Sequence, residues 1–204
     1  MKQLAIIGAS GHGKVIADIA LLSGYDEVIF LDDNPEVKTV GEYNVLGNRQ
    51  MAAELAKMSC DFIVGIGNAA IREKIQNEII SKGCNVVTLV HPNAVVAFDS
   101  KLGIGTVVMA GAVINSGSVI GQGCIINTGA SIDHDNVIGD FCHISVGAHT
   151  AGTVSMGTRS WLGIGAVVSN NLDVCSDCMI GAGAVVVSDL TAPGTYVGVP
   201  AQSK

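Results

Sequence analysis

The sequence predicts two domains of different class: an α/β domain built on a parallel sheet, followed by a parallel β-solenoid with triangular coils. Three observations carry this. Stepping by six from Leu102 gives Val108, Ile114, Ile120, Ile126, Ile132, Ile138, Ile144, Thr150, Met156, Leu162, Val168, Val174, Ile180 and Val186, with Thr150 the single polar member. Val96 and Val90 fall in the same register. A strand alternates with period two and a helix with 3.6, so neither places one apolar residue every six, whereas a hexapeptide solenoid does. Second, the position two before each ladder residue is usually small, as at Thr106, Ala112, Ser118, Cys124, Ala130, Cys142, Ala148, Ala166, Cys178 and Ala184. A narrow triangular core needs that alternation of large and small. Third, residues 1–90 read as strand, glycine turn, helix and strand, the pattern of a parallel α/β sheet.

Taken in order, residues 3–7 form a buried strand and Gly8 to Lys14 a turn. Helical spacing runs from Val15 to Leu22, and Glu27 to Leu31 is a second strand closed by Asp32-Asp33. A short Val45-Leu46-Gly47 segment leads to a helix at about 49–58. Phe62 to Ile66 is the third main strand, a helix covers about 69–82, and Val86 to Leu89 is a fourth strand. His91-Pro92 ends this pattern, so the domains are expected at 1–90 and 91–204. Three hexads close a coil, and stacked coils lie about 4.8 Å apart. Corner glycines such as Gly103, Gly121, Gly139, Gly157, Gly163 and Gly181 are expected to permit tight turns. Ser188 to Lys204 reads as an irregular tail.

Composition narrows the function. The chain has 204 residues, 49% hydrophobic and 14% charged, with net charge −7, so it can bury a large core and lacks the basic surface of a nucleic-acid binder. No apolar run reaches membrane-spanning length, and the start is too short and glycine-rich for a signal peptide, so a cytoplasmic location without membrane insertion is expected. Cys124, Cys142 and Cys178 occupy inward small positions and read as core residues. Cys175-Ser176-Asp177-Cys178 reads as one strand segment with side chains on mixed faces, so no CxxC pairing is expected.

Gly8-x4-Gly13-Lys14 approaches a phosphate-binding loop, but Val15 stands where a magnesium-binding hydroxyl is required. The spacing 8, 11, 13 also misses the redox-dinucleotide pattern. What survives is the attraction of a helix N-terminus for phosphate. Asp32-Asp33 and Gly67-Asn68, at the ends of neighbouring strands, would line the same crevice. A small molecule containing a nucleotide is the expected ligand.

Three of the five histidines lie between residues 127 and 152. The eighteen-residue coil turns sequence numbers into stacked positions. His134 lies beneath Gly152, His143 beneath Trp161, and His149 above Ser131. His143 and His149 each precede a ladder residue, so both point outward. His134 and His143 are half a coil apart and could best share a site across a subunit boundary. His134, flanked by Asp133 and Asp135, suits general-base work, because an imidazole titrates near the working pH and a carboxylate can fix its tautomer. The bare backbone at Gly152 leaves room for a slim thioester and offers an N–H to a developing oxyanion. Zinc also favours histidine nitrogen, but no metal is expected, since a metal site would not need the N-terminal domain.

Several stretches together resemble the bacterial sugar acetyltransferases, the family of sialic acid O-acetyltransferases and UDP-4-amino-sugar N-acetyltransferases. They are Gly8-Ala-Ser-Gly-His-Gly13, Phe30-Leu-Asp-Asp33, Ile66-Gly-Asn68 with Ile71-Arg72, Asn127-Thr128, Asp133-His134-Asp135, His143 to Ala148, Ala151-Gly152, Leu162-Gly-Ile164 and Val197-Gly-Val-Pro-Ala201. The resemblance implies a Rossmann-like N-terminal domain, a left-handed parallel β-helix, and a homotrimer with acetyl-CoA bound between neighbouring prisms. It implies that Ser10, Gly11, His12, Asp32, Asp33 and Gly67 hold the nucleotide of a UDP-sugar, and that His143, Gly152, Ile164, Gly181 and Ala182 contact acetyl-CoA. His134 becomes the base, oriented by Asp135 or by Asp133. The expected activity is N-acetylation at C4 of a UDP-linked amino-dideoxy sugar in glycan biosynthesis. Acetylation of a sugar hydroxyl, as on sialic acid, and a non-catalytic sugar-nucleotide-binding trimer are the alternatives.

Overall fold

The computed structural model describes residues 1–204, which divide into two compact units, Met1–Pro92 and Asn93–Lys204. The first holds strands β1 (Gln3–Ile7), β2 (Glu27–Leu31), β3 (Thr39–Val40), β4 (Tyr43–Gly47), β5 (Asp61–Val64) and β6 (Asn85–Val86), in the order β3-β4-β2-β1-β5-β6. All neighbours pair in parallel except β3 with β4. Helices α1 (Gly11–Leu22), α2 (Ala52–Lys57) and α3 (Ala69–Ser81) cover the sheet. The central strand β1 is buried from Leu4 to Ile7, as a parallel strand covered on both faces must be. Its Ala5 and Ile7 join Leu55, Phe62, Ile75 and Ile79 in one core cluster. Alternation leaves Leu4 and Ile6 for the opposite face.

Several expectations are corrected here. Helix α1 begins at Gly11, not Val15, because Ser10 caps it: its Oγ accepts from the Gly13 N–H at 3.3 Å. The third strand stops at Val64. The fourth is reduced to Asn85–Val86, with Leu89–Val90 a separate short strand. The Val45-Leu46-Gly47 segment is part of a full strand, β4. Gly13 is required by packing, since a Cβ there would lie 3.0 Å from the Phe30 ring and clash with the Gly8 carbonyl.

The second unit is a left-handed parallel β-helix. Each short hexad strand pairs with the strand eighteen residues away, as Ile126 with Ile144 and Ile144 with Leu162. Every ladder residue from Val108 to Val186 is buried, and so are the small residues two positions earlier. The corners follow an equally strict beat: every sixth residue from 105 to 183 has positive φ, between 57° and 74°. Eight of these are glycine, and the others are Asp135, Phe141, Thr153, Arg159, Asn171 and Asp177.

The corner glycines named from sequence are therefore present for a different reason than expected. Gly103, Gly121, Gly139, Gly157, Gly163 and Gly181 do not take the left-handed conformation. They face the next coil so closely that a Cβ at Gly139 would lie 2.7 Å from the Thr158 nitrogen, and one at Gly163 2.6 Å from the Ile180 carbonyl oxygen. Of the expected Cys175–Cys178 strand segment only Cys178 lies in a strand, and Cys175 to Asp177 is a corner too. Asp177 occupies the left-handed position, which turns the chain and brings the two sulfurs of this C-x-x-C spacing to 3.5 Å. Burial pushes the Cys178 thiol up to about 12. The C-terminal tail is also more regular than expected: Gly194–Val197 adds a parallel strand to Cys178–Ile180, and Gln202–Ser203 pairs antiparallel with it.

Candidate active site

The corner Asp133–Asn136 follows the strand Ser131–Ile132, and its two acidic residues divide the work on His134. Asp133 Oδ1 accepts from the His134 backbone N–H at 2.9 Å and from Asn115 Nδ2 at 2.9 Å. Asp135 turns back through the left-handed region, φ 58°, and places Oδ2 2.8 Å from His134 Nδ1. Asp135 thus orients the ring and Asp133 holds the backbone. The bond to Asp135, then the charge of Asp133, raises the imidazole pKa above its ordinary value. The hydrogen bond from Asn115, then that from the His134 N–H, lowers the pKa of Asp133.

With Nδ1 committed to Asp135, the free edge of the ring is Nε2, and it faces Gly152. A Cβ at Gly152 would sit 2.5 Å from Nε2, closer than any real side chain comes. The neighbouring Thr153 N–H donates to the His134 carbonyl at 2.9 Å, which fixes the two corners together. The Gly152 N–H has no acceptor within the chain. An imidazole beside a bare backbone N–H has the parts needed to take a proton and to stabilise an oxyanion.

His143 begins the strand His143–Ile144, on the third face of the prism, one strand (Val137–Ile138) and one corner further along the chain. It points outward as expected, yet it is buried, because its ring stacks on Trp161 with centroids 4.6 Å apart. Asn127 Nδ2 lies 3.0 Å from His143 Nε2. The Asn127 Oδ1 accepts from the Thr128 N–H at 2.8 Å, so the amide turns its donor toward the imidazole and His143 Nε2 accepts. His149 pairs with Ser131 Oγ at 2.7 Å, as the coil arithmetic requires. Ile164 stands 61% exposed on the corner after Trp161–Leu162, and Gly181 and Ala182 belong to the same corner one coil later. The Gly183 N–H donates to the Ile164 carbonyl at 2.8 Å and ties the two. The structure therefore brings His134, Asp135 and Gly152 into one group and Ile164, Gly181 and Ala182 into another, with His143 on the face that leads into the second group's corner.

The N-terminal residues gather at the C-terminal ends of β1, β2 and β5. Ser10 Oγ caps α1 and donates to the Gly65 carbonyl at 3.1 Å. Positions Gly11 and Gly67 are open, since a Cβ at either would meet nothing. Asp32 Oδ2 accepts from the Ala9 N–H at 2.8 Å and Oδ1 from the Asn34 N–H at 2.9 Å. Asp33 is paired with Arg49. Burial, then the charge of Arg72, lowers the pKa of His12 to about 4, so its imidazole is neutral at neutral pH, with Nε2 buried and without a hydrogen-bond partner. Asp32, Asp33 and Gly47 line a pocket of about 260 Å³.

Sequence reasoning gave three residues here no role, although Arg72 and Asn127 lie in stretches that carry the family resemblance. Arg72 is 1% exposed and donates to the carbonyls of Ile66 and Gly67 at 2.9 and 2.8 Å, putting a buried cation under the glycine crevice. Asn127 and Asn136 hold His143 and the His134 corner. A larger groove, about 610 Å³, is lined by Val137, Ser155 and Asp173 on another face and contains none of the expected site residues.

The chain is similar to several known proteins. Residues 3–79 match the family described as the PglD N-terminal domain. The acetyltransferase domain of PglB from Neisseria gonorrhoeae is 40% identical over the whole of both chains, with a TM-score of 0.95. It has also been solved in complex with acetyl coenzyme A. PerB from Caulobacter crescentus, solved with CoA and GDP-perosamine, is 36% identical, with a TM-score of 0.94 over 100% of this chain and 98% of that one. A curated relative, the UDP-N-acetylbacillosamine N-acetyltransferase of Bacillus subtilis, is 35% identical over 110 residues, which is 52% of this chain and 51% of that relative's length.

Proposed function

The chain belongs to the bacterial sugar N-acetyltransferase family, and on that premise we propose that it transfers the acetyl group of acetyl-CoA to the C4 amine of a UDP-linked amino-dideoxy sugar. The observation that carries the chemistry is the His134 corner, with Nδ1 held by Asp135 and Nε2 facing Gly152. The sugar amine attacks the thioester carbonyl, forming the C–N bond. Nε2 takes the amine proton, and the Gly152 N–H stabilises the tetrahedral oxyanion. Collapse breaks the C–S bond, and the proton passes from His134 to the departing thiolate. The His134 ring is hydrogen-bonded to Asp135 and to no cysteine or serine, so we take the transfer to be direct.

His143 stacked on Trp161, Ile164 and the Gly181-Ala182 turn form the acetyl-CoA side of the site. Ser10, Gly11, His12, Asp32, Asp33 and Gly67 form the sugar-nucleotide side. Because His134 and His143 are half a coil apart, a homotrimer that sets one prism's corner against the next prism's face completes the site. A cytoplasmic location belongs to this reading, and no helix is long and apolar enough to cross a membrane.

Relatives act on UDP- and GDP-linked sugars, so the nucleotide must be tested directly. Free CoA release is measured with acetyl-CoA and, in turn, UDP-4-amino, GDP-4-amino and sialic acid acceptors. The expected result is the highest kcat/KM for the UDP-4-amino sugar. Preference for GDP overturns the nucleotide, preference for sialic acid overturns N-acetylation, and no release with any acceptor overturns the enzyme.

A further inference from the structure

We propose that Asn136 is a positioning residue for the transfer reaction, a side-chain brace that fixes His134 and Gly152 relative to one another. This rests on the reading of His134 as the base. Asn136 stands two positions before the ladder residue Ile138, in a slot that Ala, Ser, Thr or Cys fills in most other hexads. It is completely buried. Its Nδ2 lies 2.9 Å from the Asp133 carbonyl, 3.2 Å from the His134 carbonyl and 2.8 Å from the Ala151 carbonyl. The first two belong to the corner that carries the base. The third belongs to the residue immediately before Gly152. One amide group therefore closes the His134 corner and links it to the corner that supplies the N–H.

Other hexads show what this slot does without such a brace. Thr106, Ser118 and Ser160 each reach one carbonyl, fifteen residues ahead in the next coil, at 2.8, 2.7 and 2.9 Å. Cys124 and Cys142 do the same through sulfur. That single link is the general stitch between coils. Asn136 makes the stitch to Ala151 and adds two contacts inside its own corner, which a hydroxyl with one hydrogen cannot do. The addition falls where it is needed. Asp135 holds a left-handed conformation that L-residues seldom take, and its carboxylate must still reach Nδ1. Ser118 supports the brace from below, donating to the Asp133 carbonyl and accepting from the Asn136 N–H at 3.2 Å.

The test is Asn136→Ser, which keeps a residue this slot already accepts in the coil below. Reactive groups displaced by a fraction of an ångström lose rate steeply, so kcat is expected to fall about 10-fold or more with both KM values within twofold of wild type. In a His134→Ala background the same substitution is expected to cost nothing further, since the brace acts only through His134. Thr106→Val, which removes an ordinary stitch far from this corner, is expected to leave kcat unchanged. A wild-type kcat for Asn136→Ser, an equal loss in the His134→Ala background, or an equal loss from Thr106→Val would each overturn the proposal. Asn136→Cys, which copies the residue at positions 124 and 142, is read in the same way if the serine variant does not fold. A fully active His134→Ala enzyme would instead remove the base on which the proposal rests.

Discussion

At the scale of single residues, the site depends on which nitrogen of His134 is free. Asp135 holds Nδ1 and raises the imidazole pKa, so Nε2 is the basic atom and holds its proton to a higher pH than a free imidazole would. A base works when deprotonated, so activity should rise with pH through that raised value. Asp135→Asn removes the anion that holds the proton on the ring, and the acid limb of kcat/KM should move to lower pH. At the same time kcat should fall by about 10-fold or more, because the ring loses its orientation. A pH–rate profile with an unmoved acid limb would show that Asp135 does not contact the working imidazole. His134, Asp135 and Gly152 were legible from an acidic pair around a histidine and from the addition of eighteen. The choice between Asp133 and Asp135 was not, because it depends on a left-handed φ at Asp135 that no residue type announces. Asn136 did leave a signal: an amide in a slot otherwise filled by small side chains.

At the scale of elements, the hexad strands and the corners obey different rules. Strand positions are chosen by hydrophobicity, so an unbroken apolar ladder revealed them. Corner positions are chosen by backbone conformation, and six of the fourteen left-handed positions carry a side chain. A search for glycine therefore found the close-packed positions two residues earlier and missed the true turn. Thr153 is the least suited of the six, being β-branched. Thr153→Gly should relieve about 1–2 kcal/mol of strain, offset by about 0.4–1 kcal/mol of added freedom in the unfolded chain. The melting temperature of the variant should rise in calorimetry, and a lower one would show that Thr153 carries no strain. The same blindness to corners explains Cys175–Cys178. The tail has no hexads, so its pairing with Cys178–Ile180 left no pattern to read. In the first unit, the parallel sheet was legible from its apolar runs. The start of α1 was not, because Ser10 caps a helix whose first turn, Gly11-His12-Gly13, looks like a loop.

At the scale of the whole molecule, the proposed reaction assigns separate tasks to two units of different class. The α/β unit presents an open glycine crevice over a buried Arg72 and the Asp32-Asp33 strand end. The β-helix presents His134 and Gly152 on one corner and the stacked His143–Trp161 pair on a face. If the nucleotide is held by the first and the proton is taken by the second, the two tasks must separate in kinetics. Steady-state CoA release by His134→Ala tests this most directly, with both substrates varied. The account predicts that kcat falls at least about 100-fold, the lower end of a general base's contribution, while the KM values for sugar nucleotide and acetyl-CoA stay within twofold of wild type. A His134→Ala enzyme that keeps the wild-type kcat would contradict it.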